Sequence, residues 1–478
     1  MRRRIKDFLY DNEDSATKAG FYYLICQLVV RGLGFLASPI FTRMMTKSEF
    51  GMVSNFMAWE AILFPVLSLN LRSSINKSRY DFPDDNDSYL GSILLFSQVF
   101  ISILIVSTFA IGDLFAEFTN MELSYVRLLL VYLMFYVAFD YQQIQYNIFK
   151  KYKIYVLYSI LSSIFSLVLS VVLVVFMNEK TLGRILGIII PAVMIYTFIE
   201  LDIFHRSQKM SWRYIKYGLA ISIPLLPSAL SANILSTMDR TIIAGNCTMD
   251  DVAMYSVAYT IAGIAAVVWT AFNQAWSPWL MDNLNVKAYG KIRNTSKYVG
   301  AVYAFIIIGL MLIAPEILYI MGGQPYMEAI IAMPPVILAM ICQFYYAYYF
   351  NVEYFYGETY IISFGTMLAA LLNFVLNIIF IPRYGYVAAA YTTLVGYALM
   401  LLYHYMIVRI KLKKSFIYDN SFIFKLLILI AIVQCGIFQM YSNPFVRYVV
   451  ILIYIVIISG LIYHYRNVVI LYGRKIFK

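Results

Sequence analysis

The segment that most constrains the fold is residues 19–43, AGFYYLICQLVVRGLGFLASPIFTR. It is almost wholly apolar and about as long as the roughly 20 residues that an α-helix needs to cross a bilayer. Arg31 stands at its midpoint, beside two glycines that let a neighbouring helix or a ligand approach. A charge at this depth costs about 2.5–3.5 kcal/mol on insertion scales, so it normally faces a partner or a wet cavity. We expect Arg31 to face a cavity for an anionic cargo; the alternative is an ion pair with an acid such as Glu60.

The composition indicates an integral membrane protein. Of 478 residues, 62% are hydrophobic and 13% are charged, and the mean hydropathy is +0.73. No connection between apolar runs is long enough for a separate soluble domain, so we expect no soluble catalytic module. The net charge of +11 would suggest nucleic acid in a soluble protein, but cytoplasmic basic loops explain it here. Four cysteines and three histidines are scattered, so we expect no disulfide frame, metal site or cofactor.

The apolar runs predict an all-α polytopic protein of about 14 transmembrane helices. With the N-terminus in the cytoplasm, the cytoplasmic connections hold several times more Lys and Arg than the outer ones, which also places the C-terminus inside. The segment 351–358 is the exception, since its only charges are Glu353 and Glu358; either the tenth or the eleventh span is misplaced, or this loop faces a cavity mouth that tolerates acidic residues. The predicted spans are residues 19–43, 49–70, 89–112, 123–147, 154–177, 182–204, 214–238, 251–275, 298–320, 327–350, 359–381, 386–408, 421–440 and 446–467.

A weak internal repeat relates the two halves of the chain. TKSEFGMVS, which begins at Thr46, aligns with TMDDVAMYS, which begins at Thr248, and matches Gly51 with Ala253. Each copy lies on a short outer connection that leads into a span, six spans apart. An even number of spans gives both halves the same orientation, which predicts a parallel repeat about an axis along the membrane normal.

Two regions resemble a known family. GLGFLASPIFTRMMTKSEFGMVS resembles the opening of the polysaccharide-biosynthesis membrane proteins, the Wzx-type oligosaccharide flippases of the MOP superfamily. IPLLPSALSANILSTMDRTIIAG, VAMYSVAYTIAGI and AFNQAWSPWL are similar to that family's proline-bearing seventh span, Asp-Arg pair, Tyr-Ser-Val-Ala run and Trp-x-Pro segment. The resemblance extends to about residue 410. It implies two six-helix lobes, residues 1–210 and 211–409, around a central cavity, with two additional helices in residues 410–478.

The resemblance also implies a cargo, an undecaprenyl-diphosphate-linked oligosaccharide, which is moved by alternating access to the periplasmic leaflet of a bacterial inner membrane. Membrane lipids and possible polysaccharide polymerases are the expected partners. Arginine is suited to such a cargo because its planar guanidinium binds phosphate oxygens in pairs. The candidates are Arg31, Arg72 and Arg240. Two alternatives stay open: Arg72 is an ordinary cytoplasmic anchor, and Arg240 is neutralised by Asp239.

Further candidates follow from side-chain chemistry. Coupling to H⁺ or Na⁺ would use a carboxylate within or at the end of a span. The helices would bend at the prolines inside spans, which are Pro224, Pro227, Pro334 and Pro335. Two other classes remain: a MATE-type cation or drug antiporter, and a membrane glycosyltransferase that uses the acid cluster of residues 81–87. The candidate sugar contacts are Asn233, Asn273, Gln274, Trp269 and Trp276, and the candidate coupling carboxylates are Glu60, Asp140 and Asp239.

Overall fold

A computed structural model describes residues 16–149 and 151–476, which are helices joined by short turns in these ranges. The helices are α1 (Ala16–Met44), α2 (Lys47–Leu67), α3 (Arg72–Asp81), α4 (Asn86–Ser107), α5 (Gly112–Thr119), α6 (Leu123–Ile148), α7 (Tyr152–Phe176), α8 (Lys180–Arg206), α9 (Trp212–Asn246), α10 (Met249–Asn285), α11 (Tyr289–Leu312), α12 (Ala314–Gly322), α13 (Met333–Phe355), α14 (Thr359–Tyr384), α15 (Tyr386–Met406), α16 (Asn420–Met440) and α17 (Pro444–Ile476). A 3₁₀ helix, Gln324–Ile331, precedes α13, and a π turn, Ile407–Lys411, follows α15.

Twelve helical segments in the described ranges are long and apolar enough to cross a membrane. A thirteenth results if the 3₁₀ helix and α13, which meet at 57°, form one broken span. The described apolar part of α17, Pro444–Gly460, is shorter than a bilayer crossing. The all-α polytopic fold is therefore confirmed, whereas the count of fourteen is not.

Helices α10 and α13 depart from the predicted spans. Helix α10 continues without a break to Asn285, ten residues beyond the predicted end. Pro334 and Pro335 lie at the start of α13, where a missing N–H costs no intrahelical bond, and the 57° bend between the 3₁₀ helix and α13 lies directly before them. Glu353 lies inside α13 and is buried, so the tenth span continues past its predicted end at residue 350.

The buried apolar side chains form two separate cores. One extends from Ala37 in α1 to Tyr214 at the start of α9, and the other from Leu235 in α9 to Ile437 in α16. We call the two groups of helices the N-terminal and C-terminal lobes; the exact domain boundaries stay a prediction. Helix α9 belongs to both cores, and its two prolines lie between them. Since proline removes a backbone hydrogen bond, this is the point at which α9 bends most easily.

The two copies of the repeat meet at one end of the bundle, which we call the outer end because the charge bias predicts it to be outside. Thr46 and Thr248 each begin a helix with a capping box, in which the threonine and the acidic side chain three residues later bond to each other's backbone N–H. Gly51 lies against the backbone of α10: a Cβ added there would be 1.8 Å from the carbonyl oxygen of Met249. The repeat elements therefore contact each other across the boundary between the lobes.

Further bonds join the lobes at this end. The Thr42 hydroxyl donates to the carbonyl oxygen of Met321 at 2.5 Å, and Lys47 Nζ lies 3.8 Å from an oxygen of Asp250. The outer end is thus closed by direct contacts between α1 or α2 of one lobe and α10 or α12 of the other.

Candidate functional site: a cationic cavity between the lobes

A cavity of about 350 Å³ lies between the lobes, below the closed outer end. Helices α1, α2 and α8 line it from the N-terminal lobe, and α9 and α10 line it from the C-terminal lobe. Each lobe contributes one guanidinium, that of Arg184 or that of Arg240. Five hydroxyl side chains add neutral donors and acceptors: Ser38, Ser54, Thr237, Ser256 and Thr260.

The charge of Arg240 is directed to the cavity and not to its sequence neighbour Asp239. Its Nε donates to the Ser256 hydroxyl at 3.2 Å, and its guanidinium lies 4.8 Å from the ring centre of Tyr259. Both partners are neutral, and no ion pair of Arg240 occurs in the described part of the chain. The ion pair with Asp239 that the sequence left open is therefore not formed, and the guanidinium remains able to bind an anion.

Asp239 lies on the other side of α9, inside the C-terminal lobe. Its carboxylate accepts hydrogen bonds from Asn377 Nδ2 at 2.5 Å, from Thr393 Oγ1 at 2.7 Å and from the hydroxyl of Tyr255. The side chain is fully buried. Neutral donors from three helices thus hold this carboxylate in a polar cluster within the lobe, behind Arg240.

Arg184 is a cavity residue that the sequence analysis missed. Its Nη1 donates to the Ser170 hydroxyl at 2.6 Å, and its guanidinium lies 4.0 Å from the ring centre of Phe41. The signal was present, because Arg184 falls inside the predicted span 182–204, just as Arg31 falls inside the first.

Arg31 lies on the exposed surface of α1, where its Nη1 is 3.4 Å from the Thr270 hydroxyl of α10. It therefore reaches from one lobe towards the other, one helical turn from the cavity-lining Gly34. Glu60 does not pair with it: its carboxylate accepts from the Tyr132 hydroxyl at 3.1 Å, within the N-terminal lobe. Arg31 is thus near the cavity but is not among the side chains that line it.

Arg72 does not belong to the cavity. Its Nη1 donates to Asp140 Oδ1 at 2.7 Å, and the Asp140 side chain is only 2% exposed. Arg72, a candidate for binding phosphate, and Asp140, a candidate coupling carboxylate, therefore neutralise each other's charge. We correct both assignments, because each group already has its counter-ion.

The candidate sugar contacts separate in the structure. Trp269 and Trp276 are buried in the C-terminal core, where they pack on Phe344 and Tyr348, so we withdraw them as cavity residues. Asn273 is also occupied, since its Oδ1 accepts from Asn351 Nδ2 at 3.1 Å.

Two of those candidates stay available. Gln274 is exposed. Asn233 lies one turn before Thr237 and two turns before Arg240 on α9, so it shares the face of the helix that lines the cavity.

The acid cluster of residues 81–87 is used for contacts within the protein. Asp81 accepts from the hydroxyl of Tyr217, and Asp87 lies 2.5 Å from Nη1 of Arg206. Within residues 16–149 and 151–476, no three His, Cys, Asp or Glu side chains are grouped as metal ligands would be. The carboxylates that a glycosyltransferase would need for Mg²⁺ thus have tyrosine and arginine as partners.

Comparison with known proteins agrees with this architecture. The family described as "Polysaccharide biosynthesis protein" matches residues 16–284. The chain belongs to this family. A relative, "Lsg locus putative protein 1" of Haemophilus influenzae, is 21% identical over 331 residues, which cover 64% of this chain and 77% of the relative.

Two solved structures share the fold of this polysaccharide biosynthesis protein. "Lipid II flippase MurJ, inward closed conformation" superposes with a TM-score of 0.68 at 13% identity and covers 93% of this chain and 99% of that one. An "Inward-facing conformation of a multidrug resistance MATE family transporter of the MOP superfamily" superposes with a TM-score of 0.61 at 16% identity. The superposition covers 83% of this chain and 95% of that one. At these identities the likeness concerns the fold alone, and the apolar helices of the described ranges together with this fold indicate a multi-pass membrane protein.

Proposed function

We propose that the chain is a flippase that moves a lipid-diphosphate-linked oligosaccharide from the cytoplasmic to the periplasmic leaflet of a bacterial inner membrane, for surface polysaccharide assembly. One observation carries the proposal. Two guanidinium groups from opposite lobes line the same cavity, and neither has a carboxylate partner among residues 16–149 and 151–476. Unpaired arginines within a membrane protein are costly, and an anionic cargo compensates that cost while it is bound.

The cavity chemistry suits the polar part of such a cargo. Arg184 and Arg240 would bind the diphosphate with charge-assisted hydrogen bonds, and Arg31 would meet it on the path to the cavity. The hydroxyl side chains and Asn233 would donate to and accept from the first sugars. The polyprenyl tail needs no shelter and would stay in the lipid, so the cavity has to enclose only the head group.

Alternating access follows from the way in which the lobes are joined. The outer end is closed by contacts between the lobes, while α9 passes from one lobe to the other through Pro224 and Pro227. We propose that the lobes rock about this bend, so that the cavity opens first to the cytoplasm and then to the periplasm. Release would follow when water reaches the phosphate contacts and weakens them.

Coupling to H⁺ or Na⁺ belongs to the proposal. Of the three candidate carboxylates, Asp239 is the one that is held only by neutral groups and adjoins a cavity arginine. A cation or proton taken up there would change the charge beside Arg240. The proposed readout is export measured with Na⁺ replaced by K⁺, and separately with the pH gradient collapsed.

The experiment that tests the function is deletion of the gene, followed by analysis of lipid-linked oligosaccharide and surface polysaccharide. A flippase deletion should abolish surface polysaccharide while the lipid-linked precursor accumulates inside. Complementation with the wild type should restore export, and Arg240→Ala should not. A deletion that stops synthesis of the precursor would instead indicate a glycosyltransferase. Unchanged polysaccharide together with increased sensitivity to cationic drugs would indicate a MATE-type antiporter, and either result would refute the proposal.

A further inference from the structure

A buried acid–base pair lies in the C-terminal lobe, away from the cavity. Nδ1 of His404, in the last turn of α15, is 2.9 Å from Oε2 of Glu353, in the last turn of α13. Both side chains are 0% exposed. Since both helices begin near the outer end, the pair lies near the inner end, where the charge bias predicts cytoplasm.

The pair is only half satisfied by hydrogen bonds. Oε1 of Glu353 and Nε2 of His404 are buried and have no hydrogen-bond partner within the described ranges of the chain. The His404 ring is stacked on Tyr346, with the ring centres 5.6 Å apart, and the Tyr403 ring packs perpendicular to it. A pair that served only to join two helices would be more stable with both groups fully bonded or replaced by apolar side chains. Ionisable groups kept at such a cost within membrane proteins often carry protons.

One ion pair separates this site from the inner surface. Lys411 Nζ lies 2.6 Å from an oxygen of Glu358, and the Glu358 amide donates to the carbonyl oxygen of Glu353 at 3.0 Å. Glu358 and Lys411 are the charged groups that face Glu353, and Tyr346 and Tyr403 are the titratable groups next to His404. Helix α14 contributes a neutral acceptor here, the carbonyl oxygen of Ile361, which is bonded to Tyr403. Charged side chains thus reach within one helical turn of the buried pair.

A stripe of polar groups on α15 leads from this pair to the cluster behind the cavity. His404, Tyr397 and Thr393 are spaced by seven and four residues, so they share one face of the helix over about 16 Å. The Tyr397 hydroxyl accepts from Gln343 Nε2 at 3.4 Å, and Thr393 donates to Asp239. The stripe therefore ends at the carboxylate that adjoins Arg240, the cavity arginine of this lobe.

We propose that Glu353 and His404 form a proton-binding site at the inner side of the C-terminal lobe, and that its loading is coupled to the movement of the lobes. In the unloaded state Glu353 is a carboxylate and His404 a neutral imidazole. One proton from the inner side is added to the pair, which then has no net charge, and the same proton leaves when the pair is unloaded. This inference rests on the proposed function only in requiring that the lobes move.

The first test measures proton binding directly. Because the chain has three histidines, a His205→Gln/His464→Gln variant leaves His404 as the single imidazole. This variant is placed in lipid nanodiscs, and the ¹⁵N spectrum of its imidazole is followed between pH 5 and 9. The infrared band of the Glu353 carboxyl, recognised by its loss in Glu353→Gln, is followed over the same range. We expect at least one of the two signals to change with pH over this range. If neither signal changes with pH, the inference is overturned.

The second test asks whether loading moves the lobes. Spin labels at Gln208→Cys and Asn285→Cys, one exposed site near the inner end of each lobe, report the distance between lobes in a background with the native cysteines replaced by serine. Between pH 5.5 and 8.5 we expect the ratio of the two distance populations to change at least about fivefold, the lower range of allosteric coupling. The exposed His205→Gln variant should behave like the wild type, whereas Glu353→Gln and His404→Gln should lose the response.

The outcomes separate the two proposals. An equal pH response in wild type and Glu353→Gln, or none in the wild type, would refute the coupling. Neither measurement uses a lipid-linked cargo, so such a failure leaves the flippase proposal standing. Conversely, a chain that titrates and moves as expected but exports no polysaccharide would refute only the flippase. Should Glu353→Gln fail to fold, the wild-type titration and its pH response decide the matter.

Discussion

Gly51 offers the sharpest perturbation of the closed outer end. A Cβ at this position would lie 1.8 Å from the carbonyl oxygen of Met249, whereas ordinary contact begins at 3.4 Å. Gly51→Ala therefore requires α2 and α10 to separate by about 1.6 Å, the difference between these distances. Both contacting groups are helix backbone and have no rotamer with which to avoid the clash. Overpacking of this kind costs about 1–3 kcal/mol.

This cost falls on the closed arrangement alone, because the contact is lost when the lobes part. The population of molecules open at the outer end should therefore rise by about 5- to 150-fold. Spin labels at Glu117→Cys in α5 and Glu328→Cys in the 3₁₀ helix, both exposed, would measure the distance between the lobes. Gly51→Ala should shift the distribution to longer distances.

The matched control is Gly263→Ala, also in α10, where a Cβ meets no atom within 4 Å. It should leave the distance distribution unchanged and, through higher helix propensity, leave stability equal or slightly increased. The reasoning is refuted if Gly51→Ala gives the same distances as this control. It is equally refuted if Gly51→Ala lowers the melting temperature and leaves the lobe distance as in the wild type, since the contact would then be local packing only.

Three further predictions concern charged groups. Arg184→Ala and Arg31→Ala should each reduce polysaccharide export at least about tenfold with the protein still inserted. Substitution by lysine should restore only part of the export, because a point charge replaces the two-pronged guanidinium. Export equal to that of an exposed control, Arg383→Ala, would count against the cavity. Arg72→Ala should lower the free energy of unfolding by about 1–3 kcal/mol, because it leaves the buried Asp140 unpaired. Adding Asp140→Asn to the same chain should recover much of this loss. A loss of export at unchanged melting temperature would contradict the pairing. Outside the spans, hydrogen bonds from Lys297 and from the Phe422 amide hold the pKa of Asp419 below its ordinary value. The ion pair of Asp419 with Lys297 therefore stabilises the fold above the pKa of Asp419 in the unfolded chain, near 4. This stabilisation is lost as the pH falls through the pKa of Asp419 in the folded protein. Lys297→Met should therefore lower the melting temperature at pH 7 but not at pH 3, and an equal difference at both would refute this account.

Much of the fold could be predicted because its causes are local. Apolar runs of bilayer length form helices, since lipid leaves the backbone no other partners. The capping boxes at Thr46 and Thr248 are readable as an acidic residue three positions after a threonine, and the structure forms both. An arginine within an apolar run was likewise visible at Arg31.

The candidate site could be predicted only in part, because it depends on which face of each helix is turned inward. A soluble helix shows its buried face by amphipathicity, but a helix in lipid is apolar all round and gives little such signal. For that reason the sequence could not separate Arg240, which faces the cavity, from Arg72, which is neutralised by Asp140. It also gave no sign that the indoles of Trp269 and Trp276 are enclosed in the core.

The sequence by itself determined that the chain is suited to lipid, which segments form helices and which residues begin them. Hydropathy and capping act over one or a few helical turns, so neighbouring residues are enough to set these features. The tertiary structure alone decided which charges meet. Arg184 and Arg240 come from different lobes, and Glu353 is about fifty residues from His404, so neither association has a local cause. Both result from the packing of helices far apart in the chain, where the position of a charge depends on the rotation and tilt of whole helices and not on its neighbours in sequence.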